Sequence, residues 1–229
     1  MKAIDNPNRI LALSVKDKLV LGAAYLPFLK NGGIFVPTEH AFELEDEVFI
    51  LLSLLNAPEK ILARGEVSWI IPRDCQEGRL QGIGVHFDES ENSKMLRKKI
   101  EAHLGGNDTY APGLNEGTAS RVMEVSEIDP LDGVAIYIEY GHYEHAAQTL
   151  RWHVERMAGR DLNALRKLLE VYFRLGQIDD YAKVIERLHL AGEHPDFVKL
   201  ALFTGLRQAH DHAQLRVLAK SHLAPGSLE

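Results

Sequence analysis

Histidines occur in two groups whose spacing could bring two ligands of one metal ion together. His142 and His145 are three residues apart at a predicted helix start, so their side chains would share one helix face. His210 and His212 flank Asp211 in a predicted turn between helices. Neither group has cysteines or glutamates at the spacing that completes a tetrahedral zinc site. We therefore expect solvated turn histidines and no metal site.

Other reactive side chains lack the partners that catalysis needs. The acidic run at 43–47 has no central glycine and no spaced oxygen ligands, unlike a calcium-binding loop. The single cysteine, Cys75, lies in a polar loop without the cationic cluster that activates a thiolate. No serine-hydrolase pattern and no phosphate-binding P-loop occurs. The sequence therefore predicts a protein that is not an enzyme and holds no cofactor.

The composition is typical of a soluble globular protein. The 229 residues are 45% hydrophobic and 26% charged, and this length accommodates one large domain or two small ones. The net charge of −7 argues against nucleic acid as the main partner, because phosphate binding depends on clustered lysine and arginine. No apolar run reaches the roughly 18–20 residues that span a bilayer, and the N-terminus does not resemble a signal peptide. With one cysteine and no internal disulfide, a cytoplasmic location without membrane insertion is expected.

The elements of the first half are short segments rich in strand-forming side chains. Asn31-Gly32-Gly33 permits a tight entry into one of them, and a helix is predicted over Glu91–Leu104, stopped by glycine. Residues 16–26 fit a helix turn or another strand, and this alternative stays open. The predicted strands cover 10–15, 33–36, 47–55, 61–71 and 79–87. Without strand–helix–strand alternation, they predict a small all-β barrel with one flanking helix.

Alternation along residues 61–71 places Trp69 on the same face as Ile61, Ala63 and Val67. We therefore expect Trp69 in the barrel core rather than stacked on a ligand. Replacement of a core tryptophan by alanine should cost about 3–5 kcal/mol of folding free energy.

The order of three strand motifs resembles the PilZ domain. A strand opened by Gly32 and Gly33 precedes a strand containing Val67-Ser68-Trp69 and a closing strand with the sequence GIGVHF at 82–87. The resemblance covers roughly residues 9–104. It implies a PilZ-like barrel and, for many members of the family, binding of cyclic di-GMP.

The residues that bind cyclic di-GMP in those members are only partly present here. The family motif is an arginine pair spaced R-x-x-x-R ahead of a D/N-x-S-x-x-G element. This chain has Arg9 with Leu13 four residues later, and Asn31-Gly32-Gly33 has glycine where the serine should lie. Two missing charge-assisted contacts at about 1.5–3 kcal/mol each remove about two to four decades of affinity. The resemblance therefore implies a degenerate nucleotide site at Arg9, Asn31, Gly32 and Gly33.

The segment at 16–28, with 30–33, is more similar to the type IV pilus subgroup of PilZ proteins. Members of that subgroup do not bind the nucleotide directly. The resemblance implies docking to the pilus extension ATPase and to an EAL-domain regulator, in support of twitching motility. Tyr25, Leu26 and Phe28 are the candidate contact residues, because an exposed aromatic and apolar cluster is typical of an interface hot spot. The alternative is that these side chains fill the end of the barrel.

The second half of the chain has helical periodicity and an internal repeat. Asp129-Pro130 is typical of a helix start, and Gly141 and Gly176 are 35 residues apart. That offset is close to the roughly 34-residue period of tetratricopeptide repeats. It also relates Tyr137 to Tyr172, Ala147 to Ala182 and Leu150 to Ile185, and a degenerate third unit is expected over 195–223. Residues 129–172 resemble the repeats of FimV-type pilus-hub proteins, and such repeats leave a groove for an unidentified protein or peptide.

The expected organisation is a PilZ-like barrel at 1–108, a linker at 109–127, tetratricopeptide-like helices at 128–224 and a tail at 225–229 that resembles a cloning remnant. The favoured function is a non-enzymatic adaptor for type IV pilus assembly. One alternative is a cyclic di-GMP receptor that uses a non-standard site. Another is an engineered fusion of two pilus-related domains.

Overall fold

The computed structural model describes residues 9–55, 57–73, 80–105 and 123–222. Its internal contacts divide the chain into two compact units, one within Asn8–Asp129 and one that includes Pro130–Glu229. Cys75, most of the expected linker and the tail at 225–229 lie outside the described residues.

The first unit is built on one six-stranded sheet, which curls into a half-barrel. The sheet order is β2-β5-β4-β3-β1-β6, with β1 parallel to β3 and all other neighbours antiparallel. The strands are β1 (Arg9–Val15), β2 (Gly33–Pro37), β3 (Glu47–Leu54), β4 (Lys60–Ile71), β5 (Gly82–Phe87) and β6 (Met123–Glu127). The predicted fold class, a PilZ-like β domain followed by an all-helical region, is confirmed.

Two helices cover the sheet. Residues 16–26 fit either a helix turn or a strand in the sequence, and in the structure they contain helix α1 (Lys18–Ala24). The Asp17 carboxylate caps this helix by accepting hydrogen bonds from the backbone N–H groups of Leu19 and Val20. The second helix is α2 (Glu91–Leu104), capped by Ser90 and ended by Gly105 in the left-handed conformation. Both contribute to the core on the inner face of the sheet, through Val20, Leu21, Ala24, Leu96 and Ile100.

The end of the expected linker is part of the sheet, which corrects the predicted boundary. Met123–Glu127 forms β6 and pairs with β1 along its length, from Leu11 opposite Glu127 to Val15 opposite Met123. The Met123 side chain is buried in the core. Sequence composition missed this strand because it has only five residues, two of them glutamates.

The second unit consists, in the described residues, of six helices joined by short turns. They are α3 (Pro130–Glu139), α4 (Tyr143–Arg156), α5 (Leu162–Leu175), α6 (Ile178–Leu190), α7 (Pro195–Gln208) and α8 (Ala213–His222). Each helix contacts the next, so consecutive helices form antiparallel pairs. Among the described residues, no helix is long and apolar enough to cross a membrane.

Candidate functional site

An aromatic pair lies on the outer face of the sheet. Ile83 and Val85 of β5 point into the core, so Gly84 between them faces outward. The Trp69 indole covers Gly84, and the Phe28 ring stacks on the indole with 5.9 Å between ring centroids and 16° between planes. Trp69 is half-buried, whereas 60% of the Phe28 surface is exposed. This pair therefore presents a flat aromatic surface to solvent.

The position of Trp69 corrects the prediction that it lies in the barrel core. The register between β4 and β5 pairs Val67 with Val85 but Trp69 with Gly84, so a β-bulge lies between Val67 and Trp69. A bulge inserts one residue into a strand and reverses the faces that follow it. Simple alternation along β4 therefore fails after Val67, and the indole faces outward.

The structure also corrects the expectation that Tyr25 and Leu26 are exposed, because each is only 3% exposed. Tyr25 pairs with Ile34 of β2, and its hydroxyl donates to a carboxylate oxygen of Glu101 on α2 at 2.9 Å. Burial, followed by this hydrogen bond, raises the pKa of Tyr25 to about 12. Of the three predicted contact residues, Phe28 alone has an exposed side chain.

Side chains of α2 and the preceding turn hold the segment that carries Phe28. Arg97 donates to the Lys30 carbonyl at 3.2 Å and to the Glu101 carboxylate at 2.8 Å. The Lys30 ammonium lies 2.9 Å from Glu89, and this hydrogen bond lowers the pKa of the Glu89 carboxyl. With Tyr25 on Glu101, these contacts fix the backbone on both sides of Phe28.

Arg9 and the Asn31-Gly32-Gly33 turn of the predicted nucleotide site belong to strands that are not neighbours in the sheet. Arg9 begins β1, Asn31 precedes β2, and three strands lie between β1 and β2 in the sheet.

Arg9 is occupied by groups of the chain itself. Its guanidinium donates to the Ala41 carbonyl at 2.9 Å, covers the Phe42 ring at 5.0 Å and lies 3.9 Å from a Glu127 carboxylate oxygen. These contacts satisfy the charge that a nucleotide phosphate would otherwise neutralise.

The glycines of the same motif serve the fold. Gly32 has φ +74°, and a Cβ at this position would be 3.0 Å from the Tyr25 hydroxyl. A Cβ on Gly33 would be 2.4 Å from the Val85 carbonyl oxygen, closer than side-chain atoms approach. The close approach of β2 to β5 therefore explains glycine here without any ligand.

The histidines of the helical unit contact one another or single carboxylates. His142 and His145 have their ring centroids 5.8 Å apart, and His212 contacts Asp179 at 2.9 Å while His210 contacts Asp211. Within the ranges that the structure describes, no three His, Cys, Asp or Glu side chains are grouped as a metal site would require.

Sequence reasoning missed the Phe28–Trp69 pair, although a signal for it exists. Gly82 and Gly84 are two residues apart and therefore lie on the same face of β5, and both adjacent strands contain aromatic residues. Glycine at alternate strand positions marks a face on which neighbouring rings can lie flat. Phe35 lies over Gly82 in the same way that Trp69 lies over Gly84.

Residues 9–106 match the family described as the PilZ domain, which agrees with the resemblance over roughly 9–104. A comparison with curated proteins finds no match for the chain. PilZ domains are non-enzymatic binding domains that mediate interactions with proteins or with cyclic di-GMP. The strand order, the flanking helix and this match lead to one conclusion: residues 9–106 of the chain are a PilZ domain.

Proposed function

We propose that the chain is a cytoplasmic, non-enzymatic adaptor for type IV pilus assembly and twitching motility. Its PilZ domain contacts the pilus extension ATPase or the EAL-domain regulator of that motor, and its helical unit binds a further protein or peptide. The observation that carries the proposal is the stacked pair Phe28–Trp69, whose outer ring is 60% exposed.

An exposed aromatic ring on a rigid support is typical of an interface hot spot, because it buries much surface with little loss of conformational freedom. Phe28 meets this description, since the segment around it is held by Tyr25 and Arg97. The segment is also the one that resembles the type IV pilus subgroup. These points support a protein contact at Phe28 rather than at the buried residues Tyr25 and Leu26.

The test measures binding of the full chain to the purified pilus extension ATPase and to the EAL-domain regulator of the source organism, by biolayer interferometry. Phe28→Ala should weaken binding to one of them at least about tenfold while the melting curve stays near wild type. Leu44→Ala is the matched control, because Leu44 is also 60% exposed and lies in the same unit outside residues 16–33. Equal affinity for wild type and Phe28→Ala, or no binding to either protein, would contradict the proposal.

The second candidate is a cyclic di-GMP receptor, which the family match favours. The contacts of Arg9 with Ala41, Phe42 and Glu127 count against it. Calorimetry on the full chain separates the two functions. Saturable micromolar binding that disappears in Arg9→Ala would establish the receptor and displace the adaptor as the main function.

A tetratricopeptide-like character for the helical unit is part of the proposal, and the equivalence of its first two helix pairs supports it. Gly141 and Gly176 both have positive φ, +79° and +69°, at the turns within the pairs. The residues related by the 35-residue offset share their burial: Tyr137 with Tyr172, Ala147 with Ala182 and Leu150 with Ile185 are all buried. Repeats that bury one shared core commonly present a surface for a partner segment.

A further inference from the structure

A groove of about 700 Å³ lies in the helical unit, between the C-terminal ends of α4 and α6. Val154 forms its buried floor, and Ala158 and Leu190 add apolar surface. Most of the lining side chains are exposed, so the groove is open at the surface. An open groove admits a chain that continues on either side, whereas an enclosed cavity favours a small molecule.

Two arginines line this groove, Arg160 and Arg187. Within the described part of the chain, neither guanidinium group has an ion pair or a hydrogen bond, although both are exposed. Several other arginines of the protein are paired, as Arg166 is with Glu193 and Arg97 with Glu101. Glu155 contributes one negative charge, so the charged side chains of the lining sum to +1.

The apolar part of the groove is exposed to an unusual degree. Leu190, the last residue of α6, has 77% of its surface exposed, and it lies in the same lining as the two arginines. A ligand that covers Leu190 removes apolar surface from water and gains the attraction of both guanidinium groups. This combination selects a ligand with aliphatic side chains between carboxylates.

We propose that this groove binds an acidic peptide segment of a partner protein. An aliphatic side chain of the segment packs on Leu190 and Ala158, and flanking carboxylates accept hydrogen bonds from Arg160 and Arg187. The inference deepens the proposed function, because it rests on the helical unit being a binding unit and names the chemistry of what that unit binds.

The experiment uses the full chain and a fluorescein-labelled hexapeptide of alternating aspartate and leucine, followed by fluorescence anisotropy. Saturable binding is expected, and the double variant Arg160→Glu, Arg187→Glu should weaken it at least about tenfold. Leu190→Ser should also weaken it. Two further peptides, with lysine in place of aspartate or serine in place of leucine, should bind more weakly than the probe.

Arg207→Glu is the matched control, since Arg207 is an exposed arginine of α7 outside the groove and the charge change is identical. It should leave the affinity within about twofold of wild type, because exposed charges beyond a screening length interact weakly. An equal loss in Arg207→Glu and in the groove variant would overturn the proposal. Absence of saturable binding to the acidic probe would overturn it as well.

A second copy of the chain is the other occupant that the test distinguishes. Self-association in sedimentation velocity that the groove variant abolishes, without competition by the probe peptide, would replace the proposal by a dimer interface. The groove variant should bind the pilus ATPase or its regulator as wild type does. A failure of the groove proposal is therefore separate from a failure of the Phe28 contact.

Discussion

The indole of Trp69 lies directly against the backbone of Gly84, so closely that a Cβ atom on Gly84 would be 2.4 Å from two ring atoms. Real side chains do not approach so closely, and glycine is therefore required on β5 beneath this ring. Because Phe28 stacks on the same indole, this contact sets the position of the proposed partner-binding surface.

Gly84→Ala should displace Trp69 and lower the free energy of unfolding by about 1–3 kcal/mol, as overpacking commonly does. Urea unfolding and tryptophan fluorescence in a Trp152→Phe background measure the two effects. Gly22→Ala, in helix α1, is the control, because a Cβ atom at this position would meet only the Leu104 side chain, at 3.4 Å. It should be neutral or stabilising by up to about 1 kcal/mol. Unchanged stability and fluorescence in Gly84→Ala would contradict the packing described.

The buried tyrosines predict a loss of stability at high pH. Burial raises the pKa of Tyr25 and of Tyr181 to about 12 from the ordinary 10.0. Because the pKa is raised in the folded state, the contribution of these two tyrosines to the free energy of unfolding is complete below about pH 10. It is lost as the pH rises toward 12. The double variant Tyr25→Phe, Tyr181→Phe should therefore lose less stability than wild type between pH 10 and 11.5, measured by urea unfolding.

Tyr143→Phe, at the less buried start of α4, is the control for that comparison. It removes a tyrosine hydroxyl from a site that is only half-buried. If the double variant and wild type lose stability in parallel, the two hydroxyl groups are not buried as described. Below about pH 9, Tyr25→Phe should cost about 1 kcal/mol, since the hydrogen bond to Glu101 is lost.

Glu193 and Arg166 predict a loss of stability at low pH. The Glu193 side chain is 2% exposed and accepts from the Arg166 guanidinium, with one Nη2–Oε1 distance of 2.7 Å. The hydrogen bonds from Arg166 hold the pKa of Glu193 below its ordinary 4.5. The contribution of this pair to the free energy of unfolding is therefore present above pH 4.5 and is lost as the pH falls below that value. Arg166→Met should cost about 1–3 kcal/mol at pH 7, because it removes the charged donor of a buried carboxylate.

The double variant Glu193→Gln, Arg166→Met should be more stable than Arg166→Met alone, because it leaves no buried charge. Urea unfolding at pH 7 and pH 4 on the four chains of this double-mutant cycle gives the coupling. A coupling near zero at both pH values would contradict a contribution from the pair.

The turn glycines of the helical unit predict a purely conformational cost. Gly176 has φ +69°, and an added Cβ would meet nothing within 4 Å, so alanine there is strained without a clash. Gly176→Ala should lower the free energy of unfolding by about 1–2 kcal/mol, and Gly176→Asn should lower it less, because asparagine tolerates this conformation. Equal costs for the two substitutions in thermal unfolding would contradict the assignment.

Much of the architecture could be predicted from local sequence. The apolar runs at 10–15 and 47–55 became β1 and β3, the alternating residues at 61–71 became most of β4, and the amphipathic segment became α2 with the predicted bounds. The 35-residue offset located corresponding turns at Gly141 and Gly176. These features depend on backbone preferences and on a periodicity of two or 3.6 residues, both of which are written into consecutive positions.

The candidate site could not be derived in the same way. A single bulge after Val67 turned Trp69 outward, and pairing with Ile34 buried Tyr25, so Phe28 is the most exposed of these three aromatic residues. The sequence by itself determined which aromatic and apolar residues were available and in which strands they lie. Only the tertiary structure decided which of them face solvent, because the direction of a side chain depends on strand register and on contacts between segments distant in the chain.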